Sequence, residues 1–331
     1  MMLTIDRRRL ILGNAALLAG TWAPAPFASA QTRPTLRFSA VFSEQDIRAE
    51  MMKRFAEEIK GDATLQLYYG GTLFKQGTEL VAMQRGNLET GNIAPQDISN
   101  QIPAWSILTS AYLFRDADHL KKVFASEVGQ QLKKMAEDQL GIHILGPTYF
   151  GARQVGLKPK KKINTPADMA GIKLRMPGGD AWQFLGQAIG ANPVPMAYAE
   201  VYTGLQSGAI DGQDNPLPNV QNMKFYEVMS QVVLTSHLVG FDILAVTRKA
   251  WSAMTPEKQA AFQAAADKAI EWSTQQHLKQ EAELAESFKT KGLDVYAPDL
   301  KAFRDFAQKK YLASDLAKSW PPGMLDKINA I

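Results

Sequence analysis

Two spacings of apolar residues alternate along this chain, one at every second position and one at every third or fourth, and together they predict its elements. In "TLRFSAVF" (35–42) and "TLQLYYGG" (64–71) apolar residues take alternate places, as in half-buried strands. Between them Ile47, Met51, Phe55 and Ile59 recur at i+4, with Ser43 as the expected cap, Asp46 three residues on and Gly61 as the stop. A second amphipathic helix is expected from about Asp118 to Leu140, with Leu120, Val123, Phe124, Val128, Leu132 and Met135 as its stripe and Gly141 as its end. "IHILGPTYFGARQVGL" (142–157) reads as a long strand crossing from one half of the chain to the other. After the lysine-rich loop "KPKKKINTPADM", Thr165 and Pro166 open a short helix that ends at Gly171. In "GIKLRMPGG" the residues Ile172, Leu174 and Met176 alternate with Lys173 and Arg175, so a strand ends at Pro177 with Arg175 near its carboxyl end. Helices at about 180–189, 198–207 and 217–229 follow.

The most informative stretch is Thr255 to Gly292, where Thr255 caps, Pro256 sits in the first turn and no breaker follows for about 36 residues, a span of roughly 54 Å. One small domain is too narrow for that helix. It is expected to run along the back of two domains as a shared brace. Strands alternating with helices nearly to the end argue for an α/β fold with largely parallel sheets.

The first thirty residues fall outside this pattern. Arg7, Arg8 and Arg9, an apolar run from Leu10 and Ala28-Ser29-Ala30 before Gln31 make an export signal, with cleavage expected after Ala30. The apolar run is shorter than the twenty or so residues that span a bilayer, so release into the periplasm is expected. The adjacent arginines fit the twin-arginine route, whereas Asp6 stands where such signals prefer Ser or Thr, so the Sec route stays open. Removing this segment leaves 34 of 37 basic and 32 of 33 acidic residues, close to neutral. That balance argues against nucleic acid as a partner. No cysteine is present, so neither disulfides nor thiol chemistry enter, and a 46% hydrophobic chain must be stabilised by burial. The remaining 301 residues suggest two domains.

Catalytic patterns are wanting. The four histidines (His119, His143, His237 and His277) lie far apart, with no H-E-x-x-H pair, and no G-x-S-x-G, phosphate loop or dinucleotide fingerprint occurs. No catalytic residue, metal or cofactor is expected. What remains suits binding: Arg153, Arg175 and Asn215 each sit where a strand gives way to a loop. A guanidinium donates two parallel hydrogen bonds to a carboxylate and keeps its proton, and asparagine can serve a neighbouring oxygen or hydroxyl. On spacing alone, each arginine could equally pair with a carboxylate of its own chain.

Several linked motifs then occur in order: D-M-x-G-x-K-L-R-x-P, G-A-N-P-V-P-M, E-V-Y-x-x-L-Q-x-G-x-x-D-G-Q-x-N-P, K-F-Y-E-V and T-x-H, over about seventy residues from Thr165 to His237. In these the chain resembles the extracytoplasmic solute-binding proteins of tripartite ATP-independent periplasmic (TRAP) transporters. The resemblance implies a two-lobed periplasmic binding protein fold with a long C-terminal helix bracing both lobes. The lobes are expected at 31–151 plus about 241–280 and at 152–240 plus about 281–331. It implies a carboxylate clamp at Arg175, support from Asn215 and Arg153, and Tyr198 as a pocket wall. Trp182 is a further candidate wall, equally suited to packing its own helix. Phe42, Lys75 and Gln96 are candidate contacts by position, in first-lobe loops that differ from the sialic-acid-binding members. Position 214 is Asp where many relatives carry Glu.

The function implied is capture of a small organic acid, a sugar acid or other hydroxylated carboxylate first, for delivery by a monomer to the small and large membrane subunits of a permease. A C4-dicarboxylate or aromatic acid is the next ligand class. A ligand-sensing partner of a chemoreceptor or sensor kinase, and an exported lyase or hydrolase on the same scaffold, are the other functions the sequence leaves open.

Overall fold

Residues 33–331 are described in the computed structural model; the export signal and its cleavage site lie outside the described residues. Nine strands form one ladder: β1 Thr35–Ser39, β2 Thr64–Tyr68, β3 Thr90–Ile93, β4 Ile142–Leu157, β5 Lys173–Met176, β6 Asn192–Pro195, β7 Gly212–Pro216, β8 Gln231–Thr247 and β9 Asp294–Tyr296. Their order is β2-β1-β3-β8-β4-β7-β5-β6, with β9 alongside β8. The expected parallel pairing holds at the two ends, β1 with β2 and β3, and β5 with β6 and β7. The middle is antiparallel instead, because the two long strands β4 and β8 run against each other and against their outer neighbours β7 and β3.

These two long strands change partners along their length. Residues 243–246 of β8 pair β3, whereas 153–157 of β4 pair β7. The ladder slips at Tyr149/Gly151 and again at Arg153/Val155. At the Tyr149/Gly151 slip Gly151 (φ 119°) faces Gly240, and a Cβ on Gly240 would lie 2.6 Å from the Gly151 carbonyl oxygen. Only two glycines let the backbones cross this closely.

The helix Pro256–Thr290 spans both ends. Phe262, Ala265, Ala266 and Ala269 pack against β1 and the helix Ile47–Glu58, while Leu284 and Phe288 enter a separate apolar cluster with Val201, Leu205, Phe225 and Val295. At 35 residues it is about 52 Å long, and this element was legible from its missing breakers.

Other boundaries moved for local reasons. The helix expected over 118–140 is two helices, Ala117–Ala125 and Glu127–Leu140, parted at Ser126, whose hydroxyl caps the second. Gly129 permits the kink, since a Cβ there would meet the Phe124 carbonyl at 2.4 Å. The first helix is capped by Asp46, not Ser43, because the Asp46 carboxylate accepts from the Arg48 backbone N–H while gripping its guanidinium. The stretch 217–229 is a helix Leu217–Asn222, a left-handed Lys224 and a single 3-10 turn.

Candidate functional site

Arg175 does not lie on a polar face. β5 is flanked by β6 and β7 and covered on both sides, so Leu174, Arg175 and Met176 are all buried and Arg175 is 1% exposed. The alternation read Arg175 as pointing away from apolar residues, and burial of both faces of an inner strand overrides that reading. Its Nε donates to the Met196 carbonyl at 2.8 Å and its Nη2 to Gln76 Oε1 at 3.0 Å. Among the described residues no carboxylate lies within ion-pairing distance of it. Burial, reinforced by the like charge of Arg153, pulls its pKa down to about 9.

Arg153 on β4 differs. Its Nε donates to Asp214 Oδ1 at 2.8 Å and its Nη2 to the Asp214 carbonyl, while its guanidinium stacks 4.7 Å from the Trp182 ring centre. Burial alone would raise the Asp214 pKa, but Arg153 and His237, 3.2 Å away, outweigh it and hold the carboxyl at about 2. Asn215, next along β7, donates to Gln213 Oε1 at 2.6 Å. Tyr198 accepts from Asn219 Nδ2 at 3.1 Å, its ring is 5.8 Å from the Arg175 guanidinium, and its backbone N–H donates to the same Gln76 oxygen that holds Arg175.

The opposite wall comes from the first part of the chain. Arg48, on the helix Ile47–Glu58, is sandwiched between Phe42 at 4.4 Å and Phe150 at 4.2 Å. It pairs with Asp46 and with Asp242 of β8, both at 2.9 Å. Burial would lower its pKa, but the two carboxylates more than reverse that. Asn92 donates to Asp242 at 2.6 Å and accepts from Thr148. Glu79 and Asp97 complete this wall, their carboxyls pushed up to about 8 and about 7 by burial and then by neighbouring carboxylates.

These groups line one cavity of about 80 Å³. That suits a small organic molecule held tightly. Of the residues singled out in sequence, Arg153, Arg175, Asn215, Tyr198, Trp182 and Phe42 line it. Lys75 is exposed and does not; its neighbour Gln76 does. Gln96 is buried in a narrow crevice behind Phe150, Arg153 and Trp182, and Asp97 faces the cavity in its place. Arg48, Gln76, Glu79, Asn92, Asp97, Asn219 and Asp242 were missed. Only Asn219 lay in the motif-bearing stretch, between two of the motifs; nothing in the spacing of the others separates them from surface polar residues.

The histidines remain dispersed: His119 bridges to the Ile328 carbonyl, His143 stacks on Trp251 and His277 faces Ser273. Among the described residues no group of three or more His, Asp or Glu could hold a metal ion.

Comparison with known proteins places this geometry in context. The family model for bacterial extracellular solute-binding proteins, family 7 (DctP), matches residues 41–315. The sialic acid-binding periplasmic protein SiaP of Vibrio cholerae is 31% identical over 292 residues, 87% of this chain and 90% of that protein. A TRAP periplasmic solute-binding protein of Roseobacter denitrificans, solved with 3-deoxy-D-manno-oct-2-ulosonic acid bound, superposes with a TM-score of 0.89 at 45% identity, covering 90% of this chain and 99% of that one. Another from the same species, with L-galactonate, is 26% identical with a TM-score of 0.81 over 90% of this chain and 98% of that one.

Proposed function

Because this chain belongs to the family 7 extracellular solute-binding proteins of TRAP transporters, we propose that it binds a hydroxylated monocarboxylate, a sugar acid, through Arg175. One observation carries this reading. Among the described residues no carboxylate pairs with the buried Arg175 cation, and a buried charge of that kind is stabilised when an opposite charge enters beside it. The ligand's carboxylate supplies that charge, with Arg153 and Asn215 on adjacent oxygens and Trp182, Tyr198 and Phe42 excluding water. Among sugar acids, a 3-deoxy-2-ulosonic acid is the first choice, supported by the ligand of the 45% identical Roseobacter protein.

Family members are transport binding proteins rather than enzymes, and they work in the periplasm with TRAP permeases. For this chain the proposal includes export with cleavage after Ala30, action as a monomer and delivery to the small and large membrane subunits. It takes 31–151 with about 241–280 as one lobe and 152–240 with about 281–331 as the other. Closure over the ligand follows if the closed form binds it more tightly, since only differential affinity shifts such an equilibrium.

Calorimetry against 3-deoxy-D-manno-oct-2-ulosonic acid, L-galactonate, sialic acid, succinate and an aromatic acid tests the class. Arg175→Ala is expected to weaken the best ligand by about 3 to 5 kcal/mol, roughly a hundred- to several-thousand-fold in Kd. An unchanged Kd in that variant sinks the clamp, and mass spectrometry showing turnover of the bound acid sinks a pure binding role.

A further inference from the structure

The wall facing the arginines is acidic, and neither Arg153 nor Arg175 pairs with it. Glu79 opens the helix Glu79–Gln84 and is 4% exposed, and Asp97 lies on the helix Pro95–Ser99; both line the same cavity as Arg175. Among the described residues no side chain donates a hydrogen bond or ion pair to either carboxyl. Asp242 is the third carboxyl there, and the guanidinium paired with it, Arg48, is already divided between Asp242 and Asp46. A second, independent sign of an unmet partner is Asn219. It is 4% exposed and lines the cavity, and its amide oxygen is buried without a hydrogen-bond partner. The cavity thus offers unused guanidinium donors on one side and, at Glu79 and Asp97, carboxyls without a side-chain partner on the other.

Building on the sugar-acid reading above, we infer that Glu79 and Asp97 form a specificity-determining pair that binds the hydroxyl-bearing end of the ligand and rejects a second carboxylate there. A protonated carboxyl carries one O–H donor and a carbonyl acceptor, which matches a pair of neighbouring hydroxyls on a sugar chain. A second ligand carboxylate would instead lie beside the Asp242 anion while the pair is neutral, and beside three anions once Glu79 and Asp97 ionise. Like charges so placed discriminate strongly against the wrong ligand. The pair therefore separates sugar monoacids from dicarboxylates, a distinction the clamp at Arg175 cannot make.

The same geometry makes affinity fall as pH rises. Burial first, then Asp97 and Asp242, push Glu79 up to about 8, and burial then Asp242 push Asp97 up to about 7. The charged and titratable groups facing the pair are Asp242 on β8, Arg48 on the helix Ile47–Glu58, Arg153 on β4, Arg175 on β5 and Tyr198. Exposed Lys75 and Asp180 lie on the adjoining elements. Above pH 7 the free protein loses protons that the complex must regain, so binding weakens by up to tenfold per pH unit for each acid.

The test is calorimetry at pH 7 and pH 9 with 3-deoxy-D-manno-oct-2-ulosonic acid, L-galactonate and the two-ended acid galactarate, alongside carbon-13 titration of the side-chain carboxyls in ligand-free protein. The expected result is a Kd for the best monoacid that rises at least about tenfold across that range and galactarate binding at least about tenfold more weakly than L-galactonate. In Glu79→Gln/Asp97→Asn the pH slope flattens and the galactarate penalty shrinks. Survival of the whole slope in the double variant overturns the inference. So do a flat wild-type profile or two carboxyls titrating in the ordinary range. If no sugar acid binds at either pH, the ligand reading fails by itself, and the carboxyl titration still decides the pair; it also decides if the double variant does not fold.

Discussion

Arg48 and Arg175 are both buried guanidiniums lining one cavity, yet they stand in opposite electrostatic situations. Arg48 has two carboxylates at 2.9 Å and an aromatic ring on each face. Arg175 has a carbonyl and an amide oxygen. The first arrangement is complete within the chain and belongs to the fold. The second leaves a charge to be met from outside, which is what a binding site for an anion requires. Burial alone would not have told them apart; their partners do.

The sharpest way to break this comparison is to replace each arginine by methionine, which keeps the volume and removes the charge. Arg48→Met leaves Asp46 and Asp242 buried without their cation and is expected to lower unfolding free energy by about 3 to 5 kcal/mol. Arg175→Met removes an uncompensated buried charge and is expected to leave the ligand-free protein as stable or more so, while abolishing the melting-temperature rise that ligand gives the parent. Equal destabilisation by both substitutions, measured by urea unfolding without ligand, would mean that Arg175 is a structural arginine too.

A second difference appears in acid. His277 sits behind Asp46 at the Arg48 end, and burial lowers its pKa to about 4, the Asp46 carboxylate notwithstanding. The folded protein holds it neutral, so it has no effect above pH 6.5. As pH falls from 6.5 towards 4 the unfolded chain binds the proton first, and stability declines by up to ~3 kcal/mol. His277→Gln should remove that part of the decline. An equally steep loss in the variant assigns it to other groups.

What the sequence disclosed follows the same division. Strand and helix order, the crossing strand β4 and the bracing helix were legible because periodicity and breakers are local signals. The kink at Ser126 was not, because the apolar stripe continues across it and the close approach that Gly129 permits leaves no periodic signal. At the site, Arg175 and Asn215 stood near strand ends within recognisable motifs, whereas Arg153, read as a strand end, lies inside β4 beside a slip of its ladder. Arg48 lies next to the apolar stripe of its helix as a surface arginine would, and Asp242, its partner, is 194 residues away. Lys75 was chosen by position where Gln76 is the residue that reaches Arg175, because a loop has no periodicity to say which neighbour turns inward.

Trp182 tests how far the second arginine is part of the site. Its ring lies over Arg153, whose ion pair with Asp214 does not depend on it. Trp182→Leu is expected to weaken ligand binding by about 0.5 to 2 kcal/mol through the lost cation–π contact. Larger losses accompanied by a lower melting temperature would instead make Trp182 a packing residue of its helix.

The smallest effect is expected at Tyr198. Its hydroxyl accepts from Asn219, whose amide oxygen already lacks a partner, so Tyr198→Phe strands the amide N–H as well. That should cost about 1 kcal/mol of stability. The Tyr198 backbone N–H keeps its bond to Gln76, and through Gln76 the position of Arg175 is unchanged. Affinity should therefore move less than stability does. If calorimetry shows affinity falling by more than about tenfold, the hydroxyl touches the ligand itself, and the side of the cavity assigned to Arg175 extends one residue further than its hydrogen bonds indicate.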